Sequence, residues 1–142
     1  MNQSRSFEIE WARVLLVDDN PASRLTLKTV LEAGGYNVDA AASAAEAVGK
    51  LDEREYELVL SDLQMESPEA GLKVIGHARI KDYKPATAII TTYSNEQPDP
   101  AGHKNSMLIK PEDLPELLGK VADLISQRAS RRLRRELRLA GA

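Results

Sequence analysis

Short segments of strand length alternate along this chain with longer segments in which apolar residues recur at helical spacing. The short segments, most of them continuously apolar, lie at 13–17, 36–42, 58–61, 86–92 and 106–109. A continuous apolar run is typical of a strand buried on both faces, as in a parallel sheet. The helical spacing predicts helices over 21–33, 43–52 and 72–80, and a last helix from about residue 113. This alternation indicates an α/β sandwich of three layers, with a parallel sheet and right-handed crossovers.

Local signals support the predicted boundaries at the start of the chain. Asn20 is a suitable N-cap and Pro21 suits the first position of a helix, so the first strand ends at the acidic pair before them. Gly34 and Gly35 are a suitable stop for that helix. A capping box over 43–46 predicts the start of the second helix.

Two segments lack a clear helical or strand pattern. Residues 93–105 are polar and contain Pro98, Pro100 and Gly102, which predicts a loop. Residues 1–12 form a leader, in which Phe7, Ile9 and Trp11 alternate with Glu8, Glu10 and Ala12. The leader is either an extra strand, a packing arm or a partly ordered tail.

Length and composition favour a single cytoplasmic domain. With 142 residues the chain is long enough to bury a core. It contains no cysteine, which excludes disulfides and thiolate metal sites and fits a reducing compartment. No apolar run approaches the length that spans a bilayer, and residues 1–10 lack the apolar region of a secretory signal.

The net charge is −3, but the charge is unevenly distributed. Six arginines lie near the carboxyl end beside a single acid, Glu136: Arg128, Arg131, Arg132, Arg134, Arg135 and Arg138. The rest of the chain is acidic, with 13 basic and 21 acidic residues. We therefore divide the chain into a leader over 1–12, a folded domain over 13–127 and a basic helical extension over 128–142.

The extension leaves several functions open. Leu133 and Leu137 lie four residues apart among the arginines, so a helix there has a narrow apolar stripe and a basic surround. Such a helix can pair with another helix, bind an acidic partner, contact nucleic acid or lie on an anionic membrane. It can equally be a solvated extension or a linker to a further domain. No DNA-binding motif such as a helix-turn-helix fits into the residues after Ile125.

Chemically active side chains follow the predicted strands, at the edge where open α/β sheets bind ligands. Asp18 and Asp19 follow the first strand, and carboxylates about 4 Å apart repel by roughly 1–4 kcal/mol near a surface. A hard divalent cation such as Mg²⁺ removes that repulsion. The later strands add an acid, two hydroxyls and an amine, at Asp62, Thr91, Thr92 and Lys110. Together these groups suit phosphoryl transfer, in which one carboxylate attacks phosphorus and the others neutralise charge.

Four motifs, VLLVDDNP, LVLSDLQM, AIITTYS and LIKP, resemble the receiver domain of two-component response regulators, over about residues 13–127. The resemblance implies a flavodoxin-like fold with a five-stranded parallel sheet of order 2-1-3-4-5. It implies that Asp62 is the phosphoacceptor and receives its phosphoryl group from the phosphohistidine of a histidine kinase.

The same resemblance implies further site residues. The metal, Mg²⁺ or Mn²⁺, would be held by Asp18, Asp19, Asp62 and the backbone carbonyl of Gln64. Thr91 matches the switch hydroxyl of the family and Lys110 its phosphate-binding lysine. Thr92 falls where the family prefers a small residue beside the pocket.

Other positions depart from the family pattern. Met107 stands where the switch aromatic is usual, so the coupling of a threonine to an aromatic ring cannot operate in its usual form. Prolines fill the segment where the family has its fourth helix, which is therefore expected to be short, distorted or missing. Tyr93 is either a cover for the pocket that slows attack by water or an exposed loop aromatic.

These observations predict a signalling phosphoacceptor that catalyses only its own phosphorylation and dephosphorylation. Its expected partners are a sensor histidine kinase or phosphotransfer protein, a downstream protein or effector domain, and optionally a second copy in a homodimer. The alternative is a receiver-like interaction module that acts without phosphorylation. A phosphohydrolase or a flavin-binding protein has a similar fold, but Asp18 and Asp19 would repel a flavin phosphate.

Overall fold

The computed structural model describes residues 12–63, 65–90, 108–109 and 114–141. Five strands and four helices lie in these residues: β1 Arg13–Val17, α1 Pro21–Ala33, β2 Asn37–Ala41, α2 Ala44–Glu53, β3 Leu58–Asp62, α3 Ala70–Arg79, β4 Ala86–Ile90, β5 Leu108–Ile109 and α4 Leu114–Leu139. Residues 1–11 of the leader, the segment 91–107 and the expected short or missing fourth helix of the family lie outside the described residues. No helix in the described part of the chain is both long and apolar enough to cross a membrane.

The strands form one parallel sheet in the order β2-β1-β3-β4-β5. The fold class and the strand order predicted from the sequence are confirmed. Val17, the last residue of β1, is in register with Ala41 of β2 and Ser61 of β3. The carboxyl ends of these three strands therefore lie side by side, and the residues that follow β1 lie close to the end of β3.

Each face of the sheet buries its own apolar cluster, which explains why the strands are continuously apolar. Val14 and Leu16 of β1 pack on the face covered by α1 and α4. Leu15 and Val17 pack on the opposite face, which α2 and α3 cover. All four side chains are fully buried, so β1 is a central strand with a helical layer on each side.

The predicted capping residues begin the first two helices. The Asn20 side chain accepts a hydrogen bond from the Ser23 N–H at 2.9 Å, and Pro21 is the first residue of α1. The Ser43 hydroxyl accepts from the Glu46 N–H at 3.1 Å, and the Glu46 carboxylate accepts from the Ala42 N–H at 2.8 Å.

The start of α3 differs from the prediction. The apolar spacing predicts a helix from Leu72, whereas α3 begins at Ala70. Glu69 occupies the N-cap position without a side-chain hydrogen bond to the helix. No side-chain hydrogen bond at the N-cap therefore fixes the first residue of this helix, and tertiary packing sets it.

The last helix, α4, continues beyond the residues that pack on the domain. Its 26 residues span about 39 Å, and Leu117, Val121 and Leu124 pack against the sheet. Arg128 still belongs to this packed part, because it is buried and donates to two backbone carbonyls, Nη2 to Tyr83 at 2.7 Å and Nε to Lys84 at 2.9 Å. From residue 129 onward every described side chain is exposed.

Candidate functional site

Three carboxylates meet at the carboxyl edge of the sheet. Asp18 and Asp19 follow β1 directly, and Asp62 is the last residue of β3. One oxygen from each of these side chains lies within 4.8 Å of the others. The parallel register of β1 and β3 produces this convergence, and three anionic groups this close together repel one another strongly.

Asp18 is almost completely buried, with 1% of its surface exposed. Its Oδ1 accepts a hydrogen bond from the Asn20 N–H at 3.0 Å, which fixes the side chain at the start of α1. Its Oδ2 is buried and has no hydrogen-bond partner among the described residues. Burial raises the pKa of the Asp18 carboxyl, and the neighbouring Asp19 charge raises it further, whereas the Asn20 N–H, Arg24 and the Asp62 side chain oppose the rise.

Asp19 differs from its neighbour in being exposed to solvent. A cation can therefore reach the cluster from the side of Asp19, and the buried Asp18 and Asp62 offer carboxylate oxygens on the inner side. On the other side of the acidic pair, Arg24 of α1 donates from Nη1 to the Asp18 carbonyl at 2.8 Å. This bond ties the backbone between β1 and α1 to the first turn of the helix.

The backbone at Asp62 is fixed by a hydrogen bond to β4 and by close packing against α3. The residue is 5% exposed, and the next N–H, of Leu63, donates to the Ile90 carbonyl at 3.0 Å. A Cβ built on Gly71 would overlap the Asp62 carbonyl oxygen and would lie 2.8 Å from the Leu63 carbonyl oxygen. Glycine at position 71 thus allows α3 to pack directly against the end of β3.

The loop after Asp62 is also tied to α2. The Glu66 carboxylate accepts a hydrogen bond from the Ala44 N–H, the first residue of α2, at 3.0 Å. A carboxylate at this position is favoured by the partial positive charge of a helix N-terminus. Met65 packs against the core cluster on the same side of the sheet. The loop is thereby fixed to the domain at two adjacent residues.

The cluster fits a hard divalent cation. Mg²⁺ prefers oxygen ligands and binds through one or two carboxylates together with water and phosphate. The cluster offers three carboxylates, and the buried Asp18 Oδ2 lacks any other partner among the described residues. A cation would also offset the repulsion between Asp18 and Asp19.

The other site residues predicted from the sequence lie outside the described residues. They are Gln64, Thr91, Thr92, Tyr93, Met107 and Lys110. Of the metal-binding and phosphoacceptor set, the structure therefore describes Asp18, Asp19 and Asp62, and it brings these three together.

Sequence reasoning missed the residues that hold the site in place. Arg24 and Glu66 are ordinary surface charges by sequence pattern, and their partners, the Asp18 carbonyl and the Ala44 N–H, are set by tertiary structure. Gly71 directly precedes the predicted start of the third helix at Leu72, and the sequence pattern gives it no role. A signal existed for Arg24, because it lies one helical turn after the Asn20 cap and thus next to the end of β1.

Comparisons with a family model and with known sequences point to the same family. A model of the response regulator receiver domain matches residues 14–122. The transcriptional regulatory protein GlrR of Escherichia coli (strain K12) is 33% identical over 123 residues, which cover 83% of this chain and 27% of GlrR. The transcriptional regulatory protein TrcR of Mycobacterium tuberculosis is 29% identical over 116 residues, 80% of this chain and 45% of TrcR. The chain therefore spans less than half the length of either relative.

Solved structures that are similar to this chain are also those of response regulators. The response regulator TrrA of Thermotoga maritima, crystallised in complex with Mg²⁺-BeF, has a TM-score of 0.70 and 33% identity, covering 80% of this chain and 98% of that chain. The chemotaxis response regulator CheY4 of Vibrio cholerae has a TM-score of 0.63 and 26% identity, covering 79% of this chain and 99% of that chain.

Proposed function

This chain belongs to the response regulator receiver domain family, and we propose that its Asp62 carboxylate accepts a phosphoryl group in a reaction that depends on Mg²⁺ held by the acidic cluster. The resemblance inferred from the four sequence motifs is confirmed, and the chain is a receiver domain of two-component signalling. The assignment of roles to its individual residues is our proposal.

The observation that carries this proposal is the buried, unpartnered Oδ2 of Asp18 within 4.8 Å of carboxylate oxygens of Asp19 and Asp62. Burying a charged oxygen without a partner is costly. The hydrogen bond from Asn20 accounts for Asp18 Oδ1 only, so a role in the fold does not explain why the three carboxylates converge. A site that binds a cation and then a phosphoryl group uses all three carboxylates.

In the proposed step, a carboxylate oxygen of Asp62 attacks the phosphorus atom of a phosphohistidine. A bond forms between that oxygen and phosphorus, the phosphorus–nitrogen bond breaks, and the imidazole leaves with the electron pair. The product is an acyl phosphate. A bound Mg²⁺ supplies positive charge that neutralises the phosphoryl oxygens. Asp18 and Asp19 hold that charge in place, and Asp62 must be unprotonated to attack.

The surrounding structure supports this role because it positions the nucleophile. Asp62 is the last residue of a central strand, and Gly71 of α3 packs against its backbone. The loop that follows is bonded to α2 through Glu66. A nucleophile mounted on a rigid element keeps its orientation toward a bound phosphoryl group. The approach side is open at Asp19, which is exposed.

We carry the roles of Lys110, Thr91, Gln64 and Thr92 over from the family resemblance, whereas the roles of Tyr93 and Met107 are our own inference. Lys110 binds phosphoryl oxygens, Thr91 is the switch hydroxyl, and the Gln64 carbonyl completes the metal shell. Thr92 and Tyr93 border the pocket and modulate access of water to the acyl phosphate. Met107 repacks on phosphorylation in place of the family's aromatic residue, between two states of a conformational equilibrium.

The proposed donor is a sensor histidine kinase or a phosphotransfer protein, and the proposed output is binding to a downstream protein or effector domain in the cytoplasm. Both named sequence relatives are transcriptional regulatory proteins. The chain covers only 27% of GlrR and 45% of TrcR, so an output through transcription is said of those proteins alone.

Acetyl phosphate provides a test that needs no partner protein. The chain is incubated with acetyl phosphate and Mg²⁺, and intact mass is measured for the wild type, for Asp62→Asn and for Asp52→Asn, which removes an exposed acid elsewhere. We expect one added phosphoryl group in the wild type and in Asp52→Asn, and none in Asp62→Asn or in the presence of EDTA. Labelling of Asp62→Asn at the wild-type level would contradict the proposal, and a chain that neither labels nor binds Mg²⁺ would support an interaction module instead.

A further inference from the structure

The end of α4 that follows Arg128 presents an apolar stripe bordered by positive charge. Leu133 and Leu137 are 57% and 51% exposed and lie one helical turn apart. Arg134 and Arg138 lie beside this stripe, three residues before and one residue after Leu137. Both arginines are exposed, and neither forms an ion pair with another described residue.

The exposed arginines at the end of this helix form no ion pair with the described part of their own domain. Arg128 is bonded to the turn between α3 and β4 through the carbonyls of Tyr83 and Lys84. Arg138 follows ten residues later on the same continuous helix, which is about 15 Å further along the axis. The helix therefore carries its charge away from the domain.

A cavity of about 400 Å³ opens at the same end of the domain, between the end of α2 and the turn before β4. Its lining combines apolar side chains of Leu51, Ile80 and Tyr83 with acidic side chains of Glu53, Glu55 and Asp82. Ile80 is 71% exposed. The three acids form no ion pair within the described part of the chain, whereas the two basic residues of the lining, Arg54 and Lys81, are paired with Asp39 and Asp52.

We propose that the end of α4 docks into this cavity on a second copy of the chain. The Leu133–Leu137 stripe contacts the apolar side chains of the lining, chiefly the exposed Ile80, and the flanking arginines reach its unpaired acids. Arginine suits this contact because its planar guanidinium binds carboxylates through two hydrogen bonds.

The end of α4 and the cavity lie close together on each copy, so two copies can make the same contact twice. Tyr83 lines the cavity and its carbonyl accepts from Arg128, so cavity and projecting helix are neighbours at one end of the molecule. Two copies that meet at this end form an isologous dimer, in which each helix occupies the cavity of its partner. This end lies opposite the acidic cluster, so the dimer leaves the phosphoryl site accessible.

The charge of this end favours a second copy over a polyanion. A nucleic acid or an anionic membrane that approached the arginines would also approach Glu53, Glu55 and Asp82, which repel it. A second copy matches both surfaces at once, with opposite charges facing one another.

The test uses sedimentation of the full chain and two pairs of charge reversals. The helix variant is Arg134→Glu with Arg138→Glu, and the cavity variant is Glu53→Lys with Glu55→Lys. We expect a wild-type dimer at low salt that dissociates at about 0.5 M NaCl, where charges are screened beyond about 4 Å. Each variant alone should dimerise at least about tenfold more weakly, and an equimolar mixture of the two should recover a dimer, because both contacts are then complementary again.

Lys28→Glu with Lys73→Glu changes the net charge as the helix variant does, on exposed or half-exposed positions of α1 and α3, and should dimerise like the wild type. The proposal is overturned if the wild type is monomeric at every concentration, if the helix variant dimerises like the wild type, or if the mixture stays monomeric. Duplex DNA and vesicles with anionic lipid are tested in parallel. Binding of either by a monomeric wild type, lost in the helix variant, would assign the arginines to that partner instead.

Discussion

Gly71 lies against the backbone carbonyl of Asp62 so closely that no side chain fits between them. A Cβ at position 71 would overlap the Asp62 oxygen and would lie 2.8 Å from the Leu63 oxygen. Since both contacts are with backbone, neither neighbour can move aside by changing a rotamer. The first turn of α3 and the residue proposed as phosphoacceptor are therefore placed by one contact.

Substitution of Gly71 by alanine should destabilise the domain and disturb the site. We expect Gly71→Ala to lower the free energy of unfolding by about 1–3 kcal/mol, as overpacked sites do, and to slow phosphorylation by acetyl phosphate. Urea unfolding measures the first effect and the time course of intact mass the second.

Gly76 supplies the matched control, because it lies in the same helix and a Cβ there would meet no atom within 4 Å. Gly76→Ala should stabilise the domain by roughly 0.5–1 kcal/mol through helix propensity. Equal effects of the two substitutions would show that the Gly71 contact with Asp62 has no consequence.

A second prediction concerns the metal and Asp18. Mg²⁺ should raise the melting temperature of the wild type, since a ligand of the folded state stabilises it. Asp18→Asn should lose most of this increase. In EDTA the order should reverse, with Asp18→Asn more stable than the wild type by about 1 kcal/mol, because the amide removes the repulsion with Asp19. Asp123→Asn, an exposed acid of α4, should respond to Mg²⁺ as the wild type does; a normal Mg²⁺ response in Asp18→Asn would exclude Asp18 as a ligand.

The ends of a helix or strand could be predicted where residues adjacent in sequence determine them. The bounds of β1 and α1 agree with the prediction residue for residue, because a continuous apolar run is followed by a capping Asn20 and by Pro21. The start of α3 was missed by two residues, because Glu69 makes no cap and Gly71 is selected by its contact with Asp62. The meeting of Asp18 with Asp62 follows from parallel strands, whose carboxyl ends share an edge.

At the basic end of α4, the sequence pattern does not predict which arginine is buried. Arg128 and Arg131 are equivalent in the sequence, since both belong to a run of arginines. In the structure Arg128 is 5% exposed and bonded to two carbonyls, whereas Arg131 is exposed. Only the position of the turn before β4, which is remote in sequence, distinguishes the two.

This difference gives a third prediction. Arg128→Ala leaves the Tyr83 and Lys84 carbonyls without their charged donor and should lower the free energy of unfolding by about 2–3 kcal/mol. Arg131→Ala should change it by less than about 0.5 kcal/mol, as exposed substitutions do. Urea unfolding of the two variants provides the comparison, and equal stabilities would contradict the role of Arg128 in anchoring α4.

A fourth prediction concerns stability at high pH. Burial raises the pKa of Tyr83 to about 12, and burial together with the bond to Asp39 raises the pKa of Tyr56 as well. A raised pKa means that the folded chain keeps these protons while the unfolded chain loses them near pH 10. Stability should therefore fall as the pH rises from about 10 to 12.

Urea midpoints measured over that pH range should fall less steeply for a Tyr56→Phe variant that also carries Tyr83→Phe. That variant lacks the ionisable hydroxyls, although it also loses their bonds to Asp39 and to the Leu51 carbonyl. It should therefore be less stable than the wild type at pH 8, and the two curves should converge at high pH. Parallel curves would show that neither tyrosine contributes to the pH dependence.

The most direct test of the central claim is to locate the phosphoryl group. After incubation with acetyl phosphate and Mg²⁺, borohydride reduces an aspartyl phosphate to homoserine, and mass spectrometry of peptides identifies the reduced position. We predict reduction at Asp62 and at no other acid, with none in EDTA. Reduction at Asp18 or Asp19, or a protein that takes up no phosphoryl group although it binds Mg²⁺, would contradict the assignment of Asp62 as the phosphoacceptor.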